Sequence, residues 1–426
     1  MVKIGLEIHV ELTEGINTKI FCGCPNKGDD VPNTRTCPTC LGLPGGKPNF
    51  NKKVLEEALK IALALNFKIN KETLFSRKVY MYPDLPSSFQ ITQFETPLGI
   101  TGNFENINLT RIHMEEDPGK LIHENNYTLI DYNRSGTPLV EIVTEPEFES
   151  PEQTRIFLQK LLITLEYLKV YDRKSESSLR VDANVSTTGA RVEIKNIGSI
   201  KDVEKALKIE IQRQQKEPPK IQQTRGWDPD TQSSILLRTK ETEEDYGYIE
   251  EANLTKITIS KEIIEKTRKS LPELADQKAE RFVKEYKIKQ EDAKVLTADL
   301  ALANLFEKIA EKIDHNLACR WCVREIPKIL NYNKMALKDW QITEKELIEL
   351  LNLLEKNKIT ETTAQKVLEK LSQEIFSPKE YIEKEKLTAV SSEKQLEETI
   401  NKVIKENKQA VEDYKNGEEK SFNFLL

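Results

Sequence analysis

In the stretch IGLEIHVEL, residues 4–12, Leu6, Ile8, Val10 and Leu12 alternate with Glu7, His9 and Glu11. A period of two is the signature of a β-strand, whose successive side chains point to opposite faces. One phase suits a core. The other lines three ionisable groups along a single face, and any sheet that contains this strand must give that face either solvent or a charged ligand.

The same phase pattern recurs. TRIHMEED (110–117) puts Arg111, His113 and Glu115 on one face and Ile112, Met114 and Glu116 on the other. PLVEIVTEP (138–146) carries Glu141 and Glu145 in frame with Leu139 and Val143. SLRVDANVS (178–186) sets Leu179, Val181, Ala183 and Val185 against Arg180, Asp182, Asn184 and Ser186, and ARVEIKNIG (190–198) aligns Arg191, Glu193 and Lys195. For one strand a solvated face is explanation enough. A set that repeats Glu, Asp, His and Asn fits a divalent cation better, because adjacent carboxylates repel and a cation relieves the repulsion. Mg²⁺ suits carboxylates with water and phosphate oxygens; His9 is an unusual Mg²⁺ ligand and leaves Mn²⁺ open.

Helical spacing appears between the strands. KKVLEEALKIALALNF (52–67) repeats apolar residues on one face. SPEQTRIFLQKLLITLEYL (150–168) opens with Ser150 as N-cap, Pro151 in the first turn and Gln153 three residues on. SIKDVEKALKIEIQRQQKEPPK (199–220) stops at Pro218-Pro219. Beyond about residue 260 the strand pattern ends, and 297–314, 317–332, 343–358, 363–375 and 392–417 read as amphipathic helices. The expected division is 1–270, 271–375 and a helical tail 376–426.

Six cysteines fall into two groups. CGCPNKGDDVPNTRTCPTC (22–40) spaces Cys22, Cys24, Cys37 and Cys40 as C-x-C, twelve residues, C-x-x-C, which fits a structural tetrahedral Zn²⁺ with no open position. Cys319 and Cys322 lie in a helix with His315 one turn earlier, and read as core residues. The net charge of −6, from 64 basic and 70 acidic residues, argues against a globally basic nucleic-acid binder and leaves room only for a local patch. No apolar run is long enough for a membrane span, and MVKIGLEIHV has no signal-peptide h-region, so the expected location is the cytosol. GLPGGKPN (42–49) has the wrong spacing for a phosphate loop, and there is no G-x-G-x-x-G and no G-x-S-x-G nucleophile elbow.

GLEIHVEL, RKVYMYPDLPSSFQITQ (77–93), RIHMEEDPGK (111–120), DYNRSGTPLVEIVTEPE (131–147), SLRVDANVS and VEIKNIGS (192–199), in this order, closely resemble the B subunit of the aspartyl/glutamyl-tRNA amidotransferases. The resemblance continues into LPELADQKAERFVKEY (271–286) and NKQAVEDYKNGEEK (407–420). It implies an α+β fold: a cradle domain on a largely antiparallel sheet with flanking helices and a zinc loop, then an all-α domain and a helical tail. It also implies a ligase reaction. The side-chain carboxylate of Glu-tRNA(Gln), Asp-tRNA(Asn) or both is phosphorylated by ATP, then amidated by ammonia that reaches it through a tunnel. The A subunit of such a complex, an amidase, would release that ammonia from glutamine, and a small C subunit would tie the other two together. The missing amidase nucleophile agrees with this division of labour.

Carried over by motif, the resemblance implies Glu7, His9, Glu116 and Glu141 as Mg²⁺ ligands, with Asp182 and Glu193 in the same catalytic pocket. Arg111, Lys120 and Lys195 are candidates for phosphate or tRNA 3′-end contacts, and Tyr80 and Tyr82 for a terminal-adenosine pocket. Cys22, Cys24, Cys37 and Cys40 match the family's zinc loop. Two stretches depart from the pattern: EEDYGYIEEANL (243–254), where Arg and Pro are expected, and SFNFLL (421–426), where relatives continue. A zinc-containing, catalytically silent tRNA-binding adaptor is the alternative, and the run of acidic positions argues against it. The related archaeal E subunit, with its large inserted domain, does not fit within 426 residues.

Overall fold

The computed structural model describes residues 2–12, 14–28, 31–171, 179–239, 247–388, 400–401 and 403–415. Residues 243–246 of the divergent stretch, the 421–426 end and, from the 392–417 helical reading, 392–399, 402 and 416–417 lie outside them. The chain divides into two compact units, Met1–Leu274 and Ala275–Leu426. As expected, the fold is α+β, with a largely antiparallel sheet and its helices followed by a helical region.

The strands of the first unit are β1 (Lys3–Glu11), β2 (Lys68–Ile69), β3 (Glu72–Thr73), β4 (Ser76–Val79), β5 (Phe89–Thr92), β6 (Gly99–Phe104), β7 (Ile107–Glu116), β8 (Lys120–His123), β9 (Thr128–Asp131), β10 (Pro138–Thr144), β11 (Leu179–Ser186), β12 (Val192–Ile197), β13 (Gln223–Asp228), β14 (Ser233–Thr239), β15 (Gly247–Glu250) and β16 (Ile257–Thr258). Nine form one sheet in the order β14-β13-β12-β11-β1-β10-β7-β6-β2, antiparallel except for β12 with β13. The alternating stretch at the N-terminus is the middle strand, which pairs on both edges.

Register sorts every side chain. Ile8 lies opposite Ile142, and Ile142 opposite Ile112, so three isoleucines run across the apolar face, all fully buried. Helices α1 (Lys52–Ala64), α2 (Pro151–Tyr167) and α3 (Ile200–Lys216) cover that face and contribute Ala58, Leu59, Phe157, Leu161, Val203 and Leu207 to one core. The start of α2 is capped as read, with Ser150 accepting from the Gln153 N–H, and Ser199 caps α3 in the same way, accepting from the Asp202 N–H. A fourth helix, α4 (Lys261–Ser270), follows β16.

A second, three-stranded sheet, β15-β4-β5, stands apart from the first. Tyr248 pairs with Lys78, and Lys78 with Gln90, which puts these three side chains in one row. On the opposite phase Arg77 makes a two-pronged ion pair with buried Glu251, at 2.6 and 3.0 Å.

The second unit is helical among its described residues, from α5 (Ala275–Tyr286) to a last helix, Lys408–Lys415. Phe282, Phe306, Trp321, Leu350 and Leu368 centre its core. The helix expected at 317–332 is broken in register by a π turn, Trp321–Glu325. Cys319 and Cys322 are buried in that core. No helix among the described residues is long and apolar enough to cross a membrane.

Ile142→Ala removes the middle of the three-isoleucine row. It should destabilise the first unit by about 2–5 kcal/mol, since the flanking strands are pinned and cannot collapse into the gap. Urea unfolding followed by near-ultraviolet circular dichroism is the check, and an unchanged midpoint would mean that the row packs more loosely than its burial indicates.

Candidate active-site cleft

The polar face of the nine-stranded sheet faces the Tyr248–Lys78–Gln90 row across a cleft of about 340 Å³. Strand register delivers the floor. His9 lies opposite Glu141, which lies opposite His113, so imidazole, carboxylate and imidazole alternate over β1, β10 and β7. Glu115 sits two residues along β7 on the same face. His9 Nε2 is 3.5 Å from both Glu115 and Glu141. His113 Nε2 is 3.0 Å from Glu141 and 3.6 Å from Glu115, and Thr92 Oγ1 donates to Glu115 at 3.0 Å.

A second acidic group lies on the next strands. Glu7 is opposite Asp182, and Glu193 is opposite Asn184. Asn184 donates to Glu7 at 2.9 Å, Lys195 reaches Glu193 at 2.9 Å and Asp182 at 3.6 Å, and the Asn196 N–H donates to Asp182 at 3.0 Å. In each group, His9–Glu115–Glu141 and Glu7–Asp182–Glu193, one donor atom per residue falls within 4.8 Å of the others. Both sets have the hard oxygen donors that a divalent cation takes, and the first adds one imidazole.

The electrostatics differ between the two groups. Burial would pull His9 down, but Glu141 and Glu115 override it and lift the imidazole to about 9. Burial would likewise raise Glu141, yet His113 and His9 hold it well below the ordinary carboxylate range. Glu7 is surrounded by acids instead. Burial, then repulsion from Glu141, Glu193 and Asp182, pushes it to about 7. The histidines neutralise the first group, while the second retains an excess of negative charge.

The expected residues Glu7, His9, Glu141, Asp182, Glu193, Arg111, Lys195 and Tyr80 all line this cleft. Three do not. Glu116 lies on the opposite phase of β7, the phase of Ile112 and Met114. Its carboxylate accepts from the Ile91 N–H at 2.9 Å and lines a separate cavity of about 200 Å³ beside Cys22 and Cys40. Its neighbour Glu115 takes the place expected for it, because a one-residue shift along a strand changes face. Lys120 is exposed on β8, and Tyr82 is 54% exposed and outside the cleft. Glu145 also leaves the face of Glu141. The register shifts at Val143/Thr144, and Glu145 instead accepts from Thr110 Oγ1 at 2.8 Å.

The motif reading omitted His113, Glu115, Arg180 and Arg191, although parity marks each as cleft-facing. It could not have found Lys78, Phe94, Asp117 and Tyr248, whose place in the lining depends on long-range pairing. Asp117 is fully buried and gripped by Arg134 Nε and Arg180 Nη2, each at 2.5 Å.

The cysteine loop comes together. Cys40 Sγ is 4.0 Å from Cys24 Sγ and 3.9 Å from Cys37 Sγ. That is close to the ~3.8 Å edge of a tetrahedron with Zn–S bonds of ~2.3 Å, and far from a disulfide. Fully buried Lys19 approaches Cys40 Sγ at 3.5 Å and donates to the Tyr132 carbonyl at 3.1 Å. Just after the loop Gly42 adopts φ +63°, where a Cβ would lie 2.8 Å from the Pro86 carbonyl, so only glycine closes this turn.

Comparison with known proteins places this arrangement. The family described as the GatB/GatE catalytic domain matches residues 2–265, which contain the whole cleft, and the GatB domain matches residues 304–426. The chain is 41% identical over 445 residues to the B subunit of the aspartyl/glutamyl-tRNA(Asn/Gln) amidotransferase of Clostridium botulinum, across 99% of this chain and 93% of that protein. The corresponding protein of Clostridium tetani matches to the same extent. The chain belongs to the family of aspartyl/glutamyl-tRNA(Asn/Gln) amidotransferase B subunits.

Two predictions separate Glu115 from Glu116. In Mn²⁺ titrations followed by electron paramagnetic resonance, Glu115→Gln should weaken binding about tenfold or more, and Glu116→Gln should leave it within about twofold. Equal losses would return Glu116 to the ligand set. Burial also raises Glu116 from the ordinary 4.5 to about 8. The folded state then keeps a proton that the unfolded chain releases, so this group costs stability progressively as pH climbs from about 4.5 to 8. Glu116→Gln should therefore be more stable than wild type at pH near 8.5, by on the order of 1–2 kcal/mol, with no gain near pH 5. Urea unfolding at both pH values reads the difference, and a gain at both would assign it to packing instead.

Proposed function

We propose that this chain is the kinase and transamidation component of a tRNA-dependent amidotransferase, acting on Glu-tRNA(Gln), Asp-tRNA(Asn) or both. The relatives' printed activity supports the reading, and one observation carries it: two clusters of carboxylates, Glu115 with Glu141 and Glu7 with Asp182 and Glu193, and five cationic side chains, Lys78, Arg111, Arg180, Arg191 and Lys195, line the same cleft. A phosphoryl group moving between two anions needs this mixture, with carboxylates to hold cations and fixed cations to neutralise the phosphoryl oxygens.

The chemistry starts from a poor acceptor. Ammonia cannot displace oxide from a carboxylate, so the amino-acid side chain first takes the γ-phosphoryl group of ATP, and ammonia then displaces phosphate. His9, Glu115 and Glu141 would hold one Mg²⁺ or Mn²⁺, and Glu7, Asp182 and Glu193 a second. Bound there, the ions supply Lewis-acid neutralisation of the phosphoryl oxygens. His113 fixes the Glu141 and Glu115 carboxylates. Arg180, held by Asp117, keeps a guanidinium at the wall of the cleft, and Lys195 does the same between the two acids it bridges. Cys22, Cys24, Cys37 and Cys40 would hold a structural Zn²⁺ that orders the loop. The amidase (A) and small (C) components of the complex and the body of the tRNA are the partners of this reading, with the 376–426 segment on the tRNA. On this reading the complex is one of the ligases of protein synthesis.

Amidation of Glu-tRNA(Gln) and Asp-tRNA(Asn) by the reconstituted complex, with ATP, Mg²⁺ and glutamine, tests the reading. His9→Ala and Glu115→Ala should each lower amidation by about 100-fold or more, while tRNA binding and glutamine hydrolysis persist. Full activity in both variants would move the chemistry off these strands. A wild-type complex that never hydrolyses ATP in response to misacylated tRNA would favour the adaptor.

A further inference from the structure

Lys19 stands just before the cysteine loop, outside the cleft lining, and is fully buried. Burying an ammonium costs free energy unless an anion lies beside it. The other buried lysine among the described residues, Lys278, lies against the Glu307 carboxylate. Lys19 has no carboxylate partner among the described residues. Its ammonium donates to Cys40 Sγ at 3.5 Å and to the Tyr132 carbonyl at 3.1 Å. The place it occupies is built from both sides. The Lys19 N–H donates to the Cys24 carbonyl at 3.0 Å, and the side-chain stem runs past Gly136, where a Cβ would lie 3.4 Å from Lys19 Cδ. The Cys37 N–H also donates to Cys40 Sγ, at 3.2 Å, so two donors converge on that sulfur.

We propose that Lys19 is the counter-charge of the cysteine site: its ammonium offsets the negative charge of a zinc ion held by Cys22, Cys24, Cys37 and Cys40, and so sets how firmly the loop keeps its metal. The proposal rests on the structural-zinc reading above and adds to it the residue that balances the charge. Zn²⁺ with four thiolates is a dianion. A dianion in a poorly solvated place and a buried ammonium without a carboxylate are each costly, and each relieves the other. A bond to the Tyr132 carbonyl alone would need only a neutral donor. A full charge at zero exposure needs the sulfurs. The effect falls on Cys40 first, since its sulfur is the one the ammonium meets. A sulfur that faces positive charge is a weaker nucleophile, so the metal-bound loop also reacts more slowly with electrophiles.

The test uses the full chain with Lys19→Met, which keeps the stem and removes charge and donor, and Lys19→Gln, which keeps a donor without the charge. Zinc affinity is read by competition with a chromophoric chelator, and the Co²⁺-loaded protein by absorption. Both variants should hold zinc about 10- to 100-fold more weakly than wild type. Their thiolate-to-Co²⁺ charge-transfer band should move to lower energy, because the sulfur has lost a neighbouring positive charge. A lysine that only braces the loop would lower the urea midpoint and leave that band in place. With Cys22→Ser, Cys24→Ser, Cys37→Ser and Cys40→Ser combined, the sign reverses: Lys19→Met should then raise the urea midpoint, since the ammonium has no anion left. Both variants holding zinc as wild type does would overturn the proposal and leave the zinc reading intact. So would Lys19→Gln keeping the affinity that Lys19→Met loses, which assigns the effect to the Tyr132 bond. A wild-type chain that takes up no zinc would overturn both. Should Lys19→Met or the four-serine protein fail to fold, Lys19→Gln and its Co²⁺ spectrum carry the comparison.

Discussion

Glu115 and Glu141 sit side by side on a buried strand face because two imidazoles are interleaved with them. Without His9 and His113, two carboxylates that are 5% and 8% exposed would repel in a poorly solvated place, and one would hold a proton. With them the group is ionised and charge-balanced: both histidines are raised and both acids lowered. The balance has a consequence for ligands. A cation entering this group must compete with protons on the histidines. One entering the Glu7–Asp182–Glu193 group instead relieves a repulsion already present, which Lys195 offsets only in part. Two acidic groups on one sheet face thus differ in what they gain from an ion, and the difference comes from which neighbouring strand supplies histidine and which supplies lysine.

Much of this was legible from alternation alone. Strand parity correctly separated Ile8 from His9 and Ile112 from His113, because a half-buried antiparallel strand leaves its apolar phase no choice of face. The misplacement of Glu116 came from setting parity aside in favour of a motif in which two adjacent glutamates look equivalent. On a strand they never are. Glu145 failed for a different reason. The frame of β10 runs true until the shift at Val143/Thr144, where Thr144 turns inward to accept from the Leu6 N–H at 2.9 Å. A bulge of this kind leaves no mark in the local sequence.

The opposite wall was legible only at Tyr80, and there by motif and not by alternation. Tyr248 reaches the cleft because β15 pairs with β4, about 170 residues earlier in the chain, and nothing in GYIE declares that partner. The helical unit shows the intermediate case. Its amphipathic spacing gave the helices, but the π turn at Trp321–Glu325 inserts a residue into a pattern that reads as one continuous helix, and tertiary packing of Trp321 and Cys322 decides it.

The cysteine loop and the cleft are joined through the peptide that follows β7. Asp117 uses its side chain to hold Arg180 on the cleft side and Arg134 on the other, and its carbonyl to accept from the Gly136 N–H. The Gly136 carbonyl in turn accepts from the Ile20 N–H, next to Lys19, whose ammonium lies between the Tyr132 carbonyl and Cys40 Sγ. Gly136 keeps φ at +84°, which lets one peptide serve both neighbours. A buried carboxylate with two arginines tolerates little displacement, since losing either contact leaves charge without compensation in a poorly solvated site. The position of the Arg180 guanidinium is therefore tied to the packing of Lys19, Ile20 and Cys40, although the cysteines themselves are not part of the cleft lining. A loop outside the cleft can in this way set the geometry of a residue that lines it, through one aspartate shared between them.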